Sequence, residues 1–418
     1  MEKLRVTGGA RLAGEVRIQG AKNAVLPLLG AVLLTKEPVF IHNCPHISDV
    51  ENMCGILRYL GACCEWRENG LWVCTEPAGR FEMPQKLSKE LRSSIFMLGA
   101  VLARFGRAVF YYPGGCEIGS RPIDLHLKGL RGLNVEIVEE GGLICCDGSR
   151  MCGGEILLDY PSVGATENIM MAATAAKGRT VIRNTAREPE VADLARALNR
   201  MGASVFGAGS STITVEGGQR LCGMEFVPVP DRIAAGTYLC GAAMTGGDVT
   251  VTGVIPEHMR SILHKLGECG CAVTVSDDAI RAVGPKRPQE LTVVETLPYP
   301  GFPTDMQAAF LALCTVAEGT SVLVENVFDN RFRTASELAR MNANITVKDR
   351  MAIVRGVKQL SGAEVTACDL RGGAALVLAG LRAAGTTVVS RVECIDRGYE
   401  CIEGVLCSLG AQVERVPG

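Results

Sequence analysis

The stretch Ile169-Met170-Met171-Ala172-Ala173-Thr174-Ala175-Ala176 is almost wholly apolar and is closed by Gly178. After it come Thr180-Val181-Ile182 and then Val191, Leu194, Ala195, Leu198 and Met201, ending at Gly202. A helix-length run with no polar face predicts a helix buried on all sides. The β-branched triplet predicts a strand, and apolar steps of three and four predict an amphipathic second helix that Gly202 stops. The same order of parts is written six times. The apolar runs are 24–34, 95–103, 169–176, 233–244, 306–317 and 374–384, with turns at Pro38, Gly106, Gly178, Gly247, Gly319 and Gly385, a period of about 66 to 72 residues. Further strands are expected at 109–112, 249–252 and 321–324, and second helices end at Leu60-Gly61-Ala62, Leu266-Gly267 and Leu409-Gly410-Ala411.

First helices apolar all round belong inside, so the expected class is α/β with helices in the core and sheets as outer walls. The chain has 418 residues, and a single core rarely grows beyond about 250–300 residues. Two domains of three units are therefore expected rather than one ring of six.

With 47% hydrophobic and 21% charged residues the chain is not a disordered one. Its 43 Lys+Arg against 45 Asp+Glu, and only 5% aromatics, argue against a general nucleic-acid binder and leave charge to be read site by site. The start Met1-Glu2-Lys3-Leu4-Arg5 opens no long apolar segment, so a cytoplasmic protein without a membrane span is expected. The 18 cysteines are scattered and form no CxxC, which predicts mostly reduced core thiols and no metal site. His42 and His46 flank Cys44 with Pro45 between, which reads as a loop beside a strand.

Chemistry concentrates where the buried helices begin. There stand Lys22-Asn23, Arg92-Ser93, Ser162-Val163-Gly164, Asp231-Arg232, Thr304-Asp305 and Arg371. Parallel buried helices bring their N-termini to one end, where free N–H groups and the dipole attract anions. Ser162, Asp231 and Thr304 equally suit ordinary N-caps. Lys22, Arg92 and Arg371 are poor caps, and a cation at a positive helix end calls for a compensating anion. Two loops stand apart from the repeat. Pro113-Gly114-Gly115-Cys116-Glu117-Ile118-Gly119-Ser120-Arg121 offers a thiol on a glycine-rich loop near a cation, which favours a reactive thiolate. Pro298-Tyr299-Pro300-Gly301-Phe302-Pro303-Thr304-Asp305 stiffens the approach to a carboxylate placed as a base. Asp396-Arg397-Gly398-Tyr399-Glu400 and Arg331-Phe332-Arg333 open the last two second helices, as site residues or as solvated surface.

On Gly20-Ala21-Lys22-Asn23, the Gly-Gly-Cys loop continued through Ile118–Leu127, the segment from Pro298 to Asp305, and Asp396–Glu400, the sequence resembles the UDP-N-acetylglucosamine enolpyruvyl transferases over essentially its whole length. The resemblance implies two inside-out α/β barrels of three repeats, 21–229 and 1–20 with 230–418, the first strand of the chain joining the second domain and the active site lying in the cleft between. It implies transfer of the enolpyruvyl group of phosphoenolpyruvate to the 3'-hydroxyl of UDP-N-acetylglucosamine with release of phosphate, the first committed step of peptidoglycan precursor synthesis. No cofactor takes part, the partners are these two small molecules, and a monomer or weak oligomer is expected.

By the same resemblance Cys116 is the acid and the target of the epoxide antibiotic fosfomycin, and Asp305 is the base that contacts the sugar hydroxyl. Lys22, Asn23, Arg121, Arg331, Arg371 and Arg397 hold phosphoenolpyruvate, Asn23 also helping to place the sugar. Arg92 sits near the nucleotide, and Arg121, Pro122, Ile123, Asp124, Leu125, Ser162, Val163, Gly164, Asp305 and Val327 line the UDP-sugar. Glu117 departs from the small residue many members carry there and would raise the thiol's pKa against Arg121. Three alternatives stand beside this reading. A shikimate-3-phosphate enolpyruvyl transferase shares the repeats but lacks the Gly-Gly-Cys loop. An RNA 3'-phosphate cyclase needs a nucleotidylated His near the chain end, whereas the last His is His264. An idle paralogue would bind UDP-sugar without turnover.

Overall fold

The computed structural model describes residues 2–83, 85, 92–112 and 123–418, with the backbone alone at 92 and 93. The chain divides into two compact units, residues 20–112 with 123–229, and residues 2–19 with Pro230–Gly418. Each has its own hydrophobic core.

In the first unit the buried helices are Lys22–Ala31, Phe96–Phe105 and Val163–Ala173. The amphipathic helices are Ser48–Leu60, Asp124–Gly132 and Pro189–Arg200. The strand after each buried helix is Val39–His42, Arg107–Tyr111 or Arg179–Arg183. Each pairs antiparallel with the second strand of a following hairpin and parallel with a segment trailing from the repeat before it. For Val39–His42 that parallel partner is Met224–Phe226, which comes from the third repeat, so the three repeats close on themselves.

The second unit repeats the plan with buried helices Arg232–Thr245, Gln307–Cys314 and Leu370–Arg382. Its main strands Asp248–Thr252, Thr320–Val324 and Thr386–Ser390 take parallel partners Ala13–Arg17, Val294–Glu295 and Glu364–Thr366. In the sixth repeat the strand Glu2–Thr7 lies between Thr386–Ser390 and Gln412–Pro417, antiparallel to both, in the place that a hairpin strand fills in the other five. The start of the chain thus completes its last repeat. Arg415 helps hold it, donating to Glu2, Asp396 and Glu403.

Some boundaries differ from expectation. The third buried helix begins at Val163 rather than Ile169 and carries Thr166, Glu167 and Asn168 into the core, all 0% exposed. Asn168 accepts from the Gly99 N–H at 2.7 Å and donates to the Ile95 carbonyl and to His126 Nδ1, each at 2.8 Å. A polar triplet is tolerable there for Asn168 because its amide is fully bonded. Gly267 lies inside the helix Arg260–Glu268, and the left-handed residue beyond it is Gly270 at φ +93°. After the fourth buried helix the left-handed cap is Gly246 at φ +63°, one residue before the expected turn. Among the cysteines, Cys63, Cys145, Cys152, Cys222, Cys401 and Cys407 are exposed rather than core. Burial pushes Cys146 and Cys314 up to about 12, which leaves both thiols inert at neutral pH. Among the described residues no helix is long and apolar enough to cross a membrane, and no group of three His, Cys, Asp or Glu could hold a metal ion.

Candidate functional site

In the first unit the site begins at Gly20. Its N–H donates to the Asn43 carbonyl at 3.1 Å. A Cβ at this position would meet that same oxygen at 2.4 Å and Pro228 Cγ at 2.9 Å, so only glycine allows the approach. Gly20→Ala is therefore expected to destabilise the protein by about 1–3 kcal/mol, the cost of forcing an extra methyl into a packed site. Denaturant unfolding of the two proteins checks this, and an unchanged midpoint would refute it.

Lys22, two residues on, is 9% exposed, and its Nζ lies 2.8 Å from Asp49 Oδ2. Asp49 is 0% exposed, in the first turn of Ser48–Leu60. The anion that Lys22 calls for is thus supplied in part by the protein itself. Asn23 is half-buried beside it. Ser162 is the N-cap of Val163–Ala173, its hydroxyl accepting from the Ala165 N–H at 3.4 Å. Val163 and Gly164 are half-buried, and a Cβ on Gly164 would meet the His126 ring at 3.1 Å. Ile123 is buried, Asp124 exposed and Leu125 half-buried at the start of Asp124–Gly132. Arg92 opens the short 3-10 turn Arg92–Ile95. Cys116, Glu117, Arg121 and Pro122 lie outside the described residues.

In the second unit, three predicted residues meet. Asp305 Oδ1 accepts from Arg331 Nη2 at 2.9 Å, and Asp305 Oδ2 accepts from Arg371 Nη2 at 3.2 Å. Both guanidinium side chains are nearly sealed, 3% and 4% exposed, while the carboxylate keeps 25%. Arg331 Nε and Arg371 Nε and Nη1 are buried and find no hydrogen-bond acceptor among the described residues. Unmade bonds on buried cations are costly, and an anionic group reaching these N–H groups would satisfy them. Burial works against the charge on Arg371, but Tyr399, Asp305 and Asp231 outweigh it and raise its pKa above the ordinary value. The Tyr399 ring lies 5.4 Å from the Arg371 guanidinium carbon, and its hydroxyl exchanges a 2.8 Å hydrogen bond with Thr237.

Local structure explains the placement. Asp369 caps Leu370–Arg382 by accepting from the N–H groups of Arg371 and Gly372 at 2.9 and 3.0 Å, fixing where Arg371 departs. Asp231 caps its helix through Ile233 and Ala234. Thr304 is not a cap: its hydroxyl donates to Glu325 at 2.8 Å. Val327 donates its N–H to Glu325 at 2.8 Å. The Asp396–Glu400 run divides its labour, Asp396 binding Arg415, Tyr399 facing Arg371, and Arg397 half-buried between them in sequence.

Sequence reasoning missed Asp49, Glu325 and Asp369. Asp49 lies in the helical register of Met53, Ile56, Leu57 and Leu60, on the apolar face, where a carboxylate is out of place without a partner. Glu325 continues the inward alternation of Ser321 and Leu323. Both signals were present in the sequence.

The pattern of the EPSP synthase (3-phosphoshikimate 1-carboxyvinyltransferase) family matches residues 6–406. A UDP-N-acetylglucosamine 1-carboxyvinyltransferase 2 of Caldanaerobacter subterraneus subsp. tengcongensis is 51% identical over 416 residues, covering 100% of both chains. A UDP-N-acetylglucosamine 1-carboxyvinyltransferase 1 of Symbiobacterium thermophilum is 50% identical, covering 99% of this chain and 95% of its own. Among solved structures, the enolpyruvyl transferase NikO from Streptomyces tendae aligns with a TM-score of 0.88 at 25% identity, covering 100% of this chain and 99% of its own. EPSP synthase from Acinetobacter baumannii shares the fold, with a TM-score of 0.76 at 18% identity and full coverage of both chains. These full-length matches show that the chain belongs to the EPSP synthase family of enolpyruvyl transferases and, within it, to the UDP-N-acetylglucosamine 1-carboxyvinyltransferases.

Proposed function

We propose that this chain transfers the enolpyruvyl group of phosphoenolpyruvate to the 3'-hydroxyl of UDP-N-acetylglucosamine and releases phosphate, the first committed step of peptidoglycan precursor synthesis. The observation that carries the reading is the half-buried Asp305 carboxylate held between the buried Arg331 and Arg371, with Arg331 Nε and Arg371 Nε and Nη1 short of an acceptor among the described residues. A substrate with a phosphate and a carboxylate fits such cations, and an alcohol that must lose a proton fits the carboxylate.

In the reaction the Cys116 thiol gives its proton to C3 of phosphoenolpyruvate, and the sugar oxygen bonds to C2 as Asp305 takes the hydroxyl proton. An unperturbed thiol near pKa 8.5 is mostly protonated at pH 7, as an acid must be. The tetrahedral intermediate then returns a proton from C3 to the Cys116 thiolate as the C2–O bond to phosphate breaks, and the departing phosphate takes the proton held by Asp305. Lys22, Arg121, Arg331, Arg371 and Arg397 neutralise the phosphate and carboxylate through these steps, with electrostatic stabilisation as the main contribution. Asn23 places the reacting groups. Arg92, residues 121–125, residues 162–164 and Val327 receive the UDP-sugar. The substrates are small soluble molecules, and the reading has the chain act in the cytoplasm as a monomer or weak oligomer.

Phosphate release from phosphoenolpyruvate tests this, with UDP-N-acetylglucosamine and shikimate-3-phosphate compared as acceptors. Release is expected with the UDP-sugar alone and reduced by about 10²-fold or more in Cys116→Ser, the scale of a lost general acid. Fosfomycin with UDP-sugar is expected to add one covalent adduct, at Cys116 and absent from the variant, by mass spectrometry. UDP-sugar binding with no phosphate release would overturn the reading in favour of a binding-only paralogue.

A further inference from the structure

The fully buried Glu325 is used by none of the steps above. It follows the strand Thr320–Val324 and is 0% exposed. Its Oε1 accepts from the Thr296 hydroxyl at 2.9 Å, the Val327 N–H at 2.8 Å and the Phe328 N–H at 3.0 Å, while Oε2 accepts from the Thr304 hydroxyl at 2.8 Å. The Thr296 hydroxyl oxygen in turn accepts from the Asn326 N–H at 2.9 Å. One carboxylate therefore joins the end of Val294–Glu295, the residue preceding Asp305, and the turn that leads into Arg331.

These segments are the ones that carry the reacting carboxylate and its cation. Thr304 is covalently next to Asp305. Phe328, whose N–H Glu325 holds, lies with its ring 5.4 Å from the Arg331 guanidinium carbon, and Asp305 meets Arg331 at 2.9 Å. Four donors converge on the two carboxylate oxygens, and two of them are backbone N–H groups that cannot reverse their role. An aliphatic residue here would strand all four donors in the interior.

We infer that Glu325 is a positioning residue for the transfer reaction, fixing the Asp305 carboxylate against Arg331 and setting the Val327–Phe328 backbone through one buried carboxylate. The inference rests on the proposed function for the meaning of a kinetic defect. The mechanism is geometric: a displacement of about 1 Å at a reacting group can cost about 10²-fold in rate. Glutamine keeps the shape of Glu325 and its carbonyl can still accept from Val327 and Phe328. Its amide NH2 then faces Thr304, which must turn from donor to acceptor, so the tether beside Asp305 is the one most altered.

The test measures kcat and both KM values for Glu325→Gln, Thr304→Val and Thr304→Ser, with phosphate release as the assay and thermal unfolding alongside. Glu325→Gln is expected to lower kcat by about 10- to 100-fold, within the range that misplacement of a reacting group produces. Thr304→Val, which removes one tether without touching the carboxylate, is expected to lower kcat at least about five-fold with KM for phosphoenolpyruvate changed by less than about two-fold, and Thr304→Ser to restore it to within about two-fold, since only the hydroxyl matters to the bond. In the double variant Glu325→Gln with Thr304→Val, the two losses are expected not to multiply. If Glu325→Gln does not fold, the Thr304 pair decides alone. Wild-type kcat in folded Thr304→Val, or a lowered unfolding temperature with unchanged kinetics, would overturn the inference. Failure of the wild-type protein to release phosphate would instead overturn the proposed function, so the two failures are distinct.

Discussion

Asp305→Asn is expected to lower kcat by about 10²–10⁴-fold, the contribution typical of a positioned general base. The amide is nearly the same shape as the carboxylate but takes no proton from an alcohol. Its oxygen can still accept from one of the two arginines, whereas its NH2 must face the other, donor against donor. Arg331 and Arg371 are 3% and 4% exposed and lose a carboxylate that bonds them both. Removing one partner from a buried ion pair costs about 3–5 kcal/mol, and the quarter exposure of Asp305 puts this case toward the low end. Two effects therefore accompany each other, and conditions separate them. An added inorganic anion can occupy the guanidinium N–H groups that the variant leaves unmatched, so phosphate or sulfate is expected to raise its unfolding temperature more than that of the wild type. Anion cannot restore the base, so kcat stays low at every salt concentration. Wild-type kcat in a folded Asp305→Asn protein would remove Asp305 from the chemistry.

The repeat plan was legible because it rests on local pattern. Six apolar runs without a polar face can be buried only together, and hairpins follow from β-branched runs between turns. The chain start filling a strand position in the sixth repeat left no such trace in the local pattern and came only with the family resemblance, since Glu2–Thr7 reads as any short strand and its neighbours come from nearly 400 residues away. The site divides in the same manner. Lys22, Asp305, Arg331 and Arg371 stand out as charges at the edges of apolar segments. What each of them meets is set by tertiary contact: Lys22 meets Asp49 on another helix, and Arg371 reaches Asp305 across 66 residues of sequence. Reading Lys22 and Arg371 as cations that await a ligand was incomplete for this reason. Lys22 has Asp49, while Arg371 has Asp305 on one nitrogen and Tyr399 beside its guanidinium.

Glu167 bears on stability rather than on the chemistry. Glu167 lies in the buried helix Val163–Ala173 at 0% exposure, and neither carboxyl oxygen finds a hydrogen-bond partner among the described residues. Burial first, then the neighbouring Glu190 and Glu188 carboxylates, push its pKa well above the ordinary value. In the unfolded chain the same group titrates near pH 4.3, so above that pH folding must take up a proton. The stability this group contributes is fully present below about pH 4.3 and is lost as pH rises toward the folded-state pKa, by about 1.4 kcal/mol per pH unit. A glutamine in its place has no proton to take up. Between pH 5 and pH 8 the unfolding free energy of Glu167→Gln is therefore expected to gain on that of the wild type, at about 1.4 kcal/mol per pH unit for as long as the pH lies below the folded-state pKa. Whatever the buried amide itself costs is the same at both pH values and cancels from the comparison. Urea unfolding of both proteins at pH 5, 6.5 and 8 measures the difference. Parallel curves would mean that Glu167 is already ionised in the folded chain, which at zero exposure would require a cation against it and would replace the neutral acid with a buried ion pair.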